Sequence, residues 1–455
     1  MKSPLTTFMG TVLDYLLPKI IRPTSGIAAL GVLAMMTGTP HSSSAATAAI
    51  FLNGNMGTVS GLTTAQINGL RASGFTTMIL FTMSVQANGD FFYDGQTLCS
   101  GGNYVGPSNF GSLLNQCKAM PSNVYRIEMC IGGWGDQSWT NIKNIVAAQG
   151  VNSSNILARN LSALRANLPI DAICNDDESA YHVSSAVAFG QFTAWTTMNT
   201  TLCPYTNPAY WQAVKSGIGG ACDNVYLQCY DGGAGNNPAT WNTYFGGLKV
   251  IPGYWDHERN ATFQNKMISW RNSATVNGGF YWPSCTGCNP PADAGGMLQY
   301  SDWIHTSLDN QPVNQILALR PRSTPYVLDA SGAGTGNQTP LIQSTYHKGS
   351  NQHWNANYSG GQGRLLGLAS GRAVEVYGAS QANNAGVNLY DWNGGTNQKY
   401  TVTYKGAGFY QLVFVHSGKA LEVLNNSGVS GASVVQYTKD AHGYEQQWSF
   451  RAATY

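Results

Sequence analysis

Charge is scarce in this chain: of 455 residues only 22 are acidic and 24 are Lys or Arg, a formal net charge of +2. No concentrated basic face can be built from so few, which argues against a nucleic-acid binder. Long apolar runs are missing too, since no stretch beyond the N-terminal segment approaches the roughly 20 apolar residues that cross a bilayer. Cysteine is absent after Cys288, and the nine present are an odd number, so at least one thiol is unpaired. What abounds instead is glycine and aromatics, with 53 Gly, 24 Tyr and 12 Trp. Aromatic-rich, charge-poor surfaces suit neutral ligands, because rings stack on the apolar faces of sugars while amides and hydroxyls take the polar edges.

The length exceeds what a single core organises, so at least two domains are expected. Lys19 and Arg22 precede an apolar stretch from Ile27 to Met36 and the small residues Ser42 to Ala49, which include Ala46-Thr47-Ala48. This is the pattern of an export signal over residues 1–48, and it predicts a secreted, extracellular protein. Cys130, Cys174 and Cys229 sit in strand-like runs and are expected as reduced core thiols. For the other six, sequence proximity suggests Cys99 with Cys117, Cys203 with Cys222 and Cys285 with Cys288, one pairing among many. Cys285-x-x-Cys288 has no second ligand pair at zinc spacing, and no metal or cofactor is implied.

From Ala49 to about Leu308, short apolar runs alternate with helix-like stretches. The runs are Ala49 to Leu52, Thr77 to Phe81, Tyr125 to Gly132, Ile170 to Asp176, Thr201 to Tyr205, Val225 to Tyr230, Leu248 to Pro252 and Gly279 to Trp282. Asn141 to Ala148 and Asn155 to Leu168 carry helical spacing, which favours parallel strands. The expected fold class is α/β, a (β/α)8 TIM barrel over residues 49–310. A Pro-bearing linker over 311–325, with Pro312, Pro321 and Pro325, leads to a Gly-, Asn-, Ser- and Gln-rich all-β domain over 326–455. That domain repeats itself three times. Each unit has an acid ending a short apolar strand (Asp329, Glu375, Glu422) and closes on Gln352-His353-Trp354, Gln398-Lys399-Tyr400 or Gln446-Gln447-Trp448. Units this small cannot each bury a core, but three stacked about an axis can.

The run Ile170-Asp-Ala-Ile-Cys-Asn-Asp-Asp-Glu-Ser-Ala-Tyr-His182 ends an apolar strand on three acids. Alternation places Cys174, Asp176 and Glu178 on one face, with Glu178 nearest the carboxyl end, the active-site mouth of a parallel barrel. Two such carboxyls raise one pKa and leave a neutral acid able to protonate a leaving group. The alternative is that Asp176, Asp177 and Ser179 cap the next helix.

The repeated Gln-x-Trp endings resemble the ricin-type β-trefoil lectins. The resemblance implies sugar pockets built from Asp329 with Tyr346, Glu375 with Trp392 and Glu422 with Tyr437. The barrel half resembles glycoside hydrolase family 18, the chitinases and endo-β-N-acetylglucosaminidases. Asp171, Asp176 and Glu178 match the first, third and last acids of its DxxDxDxE strand, with Cys174 at the middle acid. Arg126 to Trp134 resembles its SxGG strand, Gln228-Cys-Tyr230-Asp231 its QxYD strand, and Gly278 to Trp282 its last strand. The resemblance implies a secreted hydrolase of β-1,4-linked N-acetylglucosamine glycans, chitin-like or N-glycan core, working by a substrate-assisted retaining mechanism. Glu178 would be the acid, Asp176 the group orienting the acetamide and Tyr230 its hydroxyl donor. Trp282 would form the floor, with Gln228, Asp231 and Trp134 as further sugar contacts. Loss of the middle acid at Cys174 is expected to lower the pKa of Asp176. The alternative is a catalytically weak or inactive two-domain glycan-binding lectin. Both readings have a glycan partner and neither involves nucleic acid or membrane.

Overall fold

The computed structural model describes residues 47–53, 62–119, 122–255, 261–273, 275–276, 278–282, 301–305, 307–308, 315–359 and 361–452. Most of the expected leader, part of the linker and Cys285 with Cys288 lie outside them.

Eight parallel strands close a barrel: β1 (Thr47–Asn53), β2 (Thr77–Phe81), β7 (Arg126–Gly132), β8 (Ala172–Asp176), β9 (Asn199–Leu202), β10 (Cys222–Gln228), β11 (Ile251–Trp255) and β12 (Gly278–Trp282). All eight expected runs are present. The connections carry helices α1 (Thr64–Ala72), α2 (Phe110–Lys118), α3 (Ser138–Gln149), α4 (Ile156–Asn167), α5 (Val183–Trp195), α6 (Pro208–Ile218), α7 (Pro238–Tyr244) and α8 (Ala261–Asn272). One departure is a small antiparallel sheet between β2 and α2, made of β3 (Met83–Val85), β4 (Phe91–Tyr93), β5 (Gln96–Ser100) and β6 (Asn103–Tyr104). Another is the start of the barrel. Thr47 pairs with Gly278 and Ala48 with Gly279, so β1 begins inside the segment expected to be leader.

Alternation along the strands fills the interior with Ala49, Phe51, Ile79, Cys130, Cys174, Tyr226, Ile251 and Phe280. The Phe51 ring lies 5.2 Å from Phe280 and 6.0 Å from Tyr226. Gly253 makes room for this stack, since a Cβ there would come within 1.9 Å of the Phe280 ring. Below the rings, towards the amino ends of the strands, the interior is ionic. Arg126 pairs with Glu128 at 2.5 Å and with Asp223 at 2.7 Å. Thr201 and Tyr226 hydroxyls donate to Glu128 at 2.6 and 2.8 Å. Burial pushes the Glu128 carboxyl up to about 7 against the downward pull of Arg126.

The expected pairing of cysteines is overturned for the residues described. Cys99, Cys117, Cys203 and Cys222 are buried free thiols. Cys203 belongs to the barrel interior and Cys222 to the layer between strands and helices, so the wall separates them. Cys99 on β5 and Cys117 on α2 enter that same outer layer without bonding.

The C-terminal domain contains β13 (Gln315–Pro321), β14 (Val327–Ala330), β15 (Leu341–Ser344), β16 (Trp354–Ser359), β17 (Gln362–Gly367), β18 (Ala373–Val376), β19 (Ala385–Tyr390), β20 (Tyr400–Tyr404), β21 (Tyr410–Phe414), β22 (Lys419–Val423), β23 (Val434–Thr438) and β24 (Trp448–Ala452). Strands β13, β16, β17, β20, β21 and β24 pair in a closed antiparallel ring, and β14–β15, β18–β19 and β22–β23 form three hairpins. Trp354, Trp448 and Tyr400, the last residues of the repeated tripeptides, are buried in one common core. The first strand of each hairpin is followed by a left-handed residue three positions past its acid: Gly332 (φ 61°), Gly378 (φ 61°) and Asn425 (φ 56°). Asn is the side-chain-bearing residue that best tolerates this region.

The turn between β20 and β21 packs beneath the barrel. Asn123 donates to the Ala407 carbonyl at 2.6 Å, Tyr404 donates to Asp302, and His305 lies 2.7 Å from the Gly74 carbonyl and 3.4 Å from the Tyr410 hydroxyl. Gly74 and Asn123 precede β2 and β7, which places this contact at the amino end of the barrel. Glycine is required at Gly74, where a Cβ would stand 2.8 Å from the backbone of Ala407 and Gly408.

Candidate functional site

At the carboxyl end of the barrel strands a cleft of about 340 Å³ collects the acid pair. Strand β8 delivers Asp176, which is 4 % exposed, and the turn after it delivers the half-buried Glu178. The shared face expected for Cys174, Asp176 and Glu178 is therefore present. Capping does not explain these acids. Helix α5 starts at Val183, and His182 is its N-cap, accepting from the Ser185 amide. Asp177 instead folds the turn, accepting from the amides of Ser179 and Ala180 and from the Tyr210 hydroxyl at 2.6 Å. Asp171 lies at the other end of the barrel, 2.5 Å from Lys118, and has no part in the cleft.

The neighbouring strand fixes where Asp176 sits. Gly132 and Gly133 end β7 with φ of 110° and 108°, and the Gly133 amide donates to the Asp176 carbonyl at 2.8 Å. A Cβ on Gly132 would fall 2.0 Å from that carbonyl oxygen. Gln228, from β10, donates to Asp176 at 3.2 Å and to the Cys203 carbonyl at 3.3 Å, which sets its amide beside the acid pair. Tyr230, Asp231 and Trp282 line the same cleft, and Trp134 stands at its lip, 94 % exposed. Trp282 meets Phe81 edge-on at 4.5 Å.

Phe81, Cys203, Tyr205 and Trp255 also line the cleft and were not expected there. For Phe81 and Trp255 the signal was available, because each sits two or four residues beyond an inward-facing position on its own strand.

Electrostatically the pair is set for proton exchange. Burial first, then Glu178, raises the Asp176 carboxyl well above the ordinary carboxylate range. Burial dominates this shift, and Cys174 and Asp177 add to it in the same direction. Glu178 is raised too, by burial first, with the Gln228 hydrogen bond opposing it. Burial also raises the Tyr230 hydroxyl, keeping it a donor.

In the C-terminal domain one hydrogen-bond device recurs in every unit. Gln352, Gln398 and Gln446 donate to Asp329, Glu375 and Glu422 at 2.8, 3.1 and 2.7 Å. The same amides donate to the carbonyls of Thr345, Asp391 and Thr438. Each therefore ties an acid to the loop that faces it. The acids are buried, with 3, 5 and 1 % exposure.

The aromatic partners differ between units. Strand register aligns Ser344, Tyr390 and Tyr437, which pair with Val327, Ala373 and Ala420. Tyr437 therefore occupies a strand position that Tyr390, not Trp392, holds in the second unit, while Tyr346 lies in a loop with its hydroxyl 3.0 Å from His353. Trp392 is 36 % exposed with Arg364 over its ring.

A model of the ricin-type beta-trefoil lectin domain-like family matches residues 307–390, 350–437 and 396–455. No curated protein matches the chain. Among solved structures, the designed 3-fold symmetric protein ThreeFoil is 37% identical, with 30% of this chain and 97% of that chain covered and a TM-score of 0.29. An exo-beta-1,3-galactanase from Clostridium thermocellum is 28% identical over 30% of each chain, TM-score 0.29. The Macrolepiota procera ricin B-like lectin in complex with lactose is 17% identical over 31% of this chain and 96% of that one, TM-score 0.27.

Proposed function

We propose, on the premise that the C-terminal third of the chain is a ricin-type β-trefoil lectin domain, that the protein is a glycan hydrolase of the family 18 type whose substrate is held by that lectin. The lectin binds carbohydrate. The barrel is read as a TIM barrel that cleaves β-1,4-linked N-acetylglucosamine glycans outside the cell. The observation that carries this reading is convergence: Asp176, Glu178, Gln228, Tyr230, Asp231, Trp134 and Trp282 come from four separate stretches of sequence into one cleft.

The proposed chemistry follows from the environment of each group. Glu178, whose burial favours the protonated form, protonates the glycosidic oxygen as the bond to the anomeric carbon breaks. The sugar's own acetamide oxygen closes on that carbon, and Asp176 stabilises the resulting positive ring. The Tyr230 hydroxyl holds the acetamide, and Trp282 lies beneath the reacting sugar. Glu178, now ionised, then takes a proton from water as the water opens the ring. A charge on Glu178 raises Asp176, so Asp176 ionises most readily while Glu178 holds its proton, the state from which Glu178 acts as the acid.

A second reading has one specific observation behind it: Cys174 stands where the family 18 strand has an acid, which favours a lectin with a sugar-binding but slow barrel. Cleavage of chitin oligomers and a high-mannose glycopeptide by the protein and its Glu178→Gln variant, with products identified by mass, separates the two. Cleavage lost in the variant supports the hydrolase. Equal inertness of both proteins, with oligomer binding retained, leaves the lectin.

A further inference from the structure

The third unit of the lectin domain differs from the others where its acid meets the loop. In the first two units the residue before the repeated glutamine is asparagine. Asn351 donates to Asp329 at 3.1 Å and Asn397 to Glu375 at 3.3 Å. The third unit has Glu445 at that place, which as a carboxylate cannot donate. His442 supplies the contact instead, with Nδ1 3.0 Å from Glu422 Oε2. Its ring also lies nearly parallel to Tyr437, 4.3 Å between centroids at an interplanar angle of 25°.

We infer that His442 is a built-in ligand of the third unit, a flat ring of the chain itself stacked on the aromatic and bonded to the acid that would otherwise take a sugar. This rests on reading the three units as sugar pockets. A pyranose in such a pocket needs one free aromatic face and one acceptor for its hydroxyls. In the third unit the imidazole takes both, so the domain offers fewer sugar sites than it has repeats. The first unit has only a looser counterpart, His347, which stands 3.7 Å from Asp329 with its side chain 55 % exposed. The second unit has no histidine in its loop, and it combines Glu375, Asn397 and the register tyrosine Tyr390. It is the most complete of the three.

The imidazole side chain is 36 % exposed, so truncating it removes the plug without emptying the core. Calorimetric titration of the full chain and of His442→Ala with lactose and with galactose, sugars the cleft is not proposed to take, reads the number of sites. The expected result is at most two equivalents for the parent and one more for the variant. Three equivalents in the parent, or an unchanged number in the variant, overturns the inference and leaves the lectin intact. Absence of binding by both proteins, to these sugars and across a glycan array, removes the lectin reading and this inference with it. The imidazole proton resonances give an independent readout. Stacking displaces them, and Tyr437→Leu returns them to ordinary positions; resonances that are ordinary in the parent overturn the inference by themselves.

Discussion

The barrel and the lectin domain solve the placing of a buried acid in opposite ways. The barrel builds one asymmetric site, in which each strand end contributes a different group and burial raises the pKa values of both acids, with Glu178 adding to the rise at Asp176. The lectin domain builds one device three times, acid to glutamine to loop carbonyl, and varies only what covers it. A single site can be lost by one substitution, whereas a repeated one can degenerate unit by unit while its fold persists. In the third unit Glu445 and His442 replace the asparagine contact, and the Gln446 bond to Glu422 is kept.

The largest expected separation between the two domains is chemical. Glu178→Gln should lower cleavage by about 10²–10⁴-fold while sugar affinity of the lectin stays within error, measured by product mass and by titration on the same preparation. A loss of lectin affinity in that variant would break the independence of the domains.

Next comes the backbone. Gly132→Ala combines a left-handed φ with a Cβ 2.0 Å from the Asp176 carbonyl, and should cost about 3 kcal/mol or more in denaturant unfolding. Gly332→Ala, also at positive φ but with open space around it, should cost about 1 kcal/mol. Equal costs would mean that the close approach at β7 is not what constrains that strand end.

In the lectin domain, Gln446→Leu leaves the buried Glu422 with His442 as its one side-chain donor among the described residues and should cost about 1–3 kcal/mol, read as a lower Tm. Cleavage by the barrel should be unchanged.

The smallest effect is on pH dependence. The Gln228 hydrogen bond favours the ionised form of Glu178 and so holds its pKa down against burial. Gln228→Leu removes that pull, the pKa rises further, and the protonated acid persists to higher pH. The basic limb of kcat/KM should therefore move up, and a move down would show that Gln228 serves the acid in another way.

Much of this was legible in the sequence because it rests on period and recurrence. Alternation gave all eight barrel strands and the common face of Cys174, Asp176 and Glu178, and threefold spacing gave the acids and glutamines of the lectin. What stayed hidden depends on neighbours distant in sequence. Tyr390 is aligned with Tyr437 by strand pairing, whereas the lectin resemblance pointed to Trp392. Cys203 and Cys222 are close in the chain but lie on opposite sides of the barrel wall. The four-stranded insertion after β2 has strands of two to five residues, too short to establish a period. The contact of His305 with Gly74 and Tyr410 joins three remote segments and left no local trace.

The close packing of Gly74 against Ala407 and Gly408 gives the molecule two poles. The turn between β20 and β21 grips the barrel from below, and the cleft opens above. If the cleft cleaves glycans as proposed, a short chain held by the lectin cannot also reach the cleft, and the lectin would give no advantage on small soluble oligosaccharides. Its benefit would be confined to crowded glycan surfaces, where the chain that anchors and the chain that is cut are neighbours.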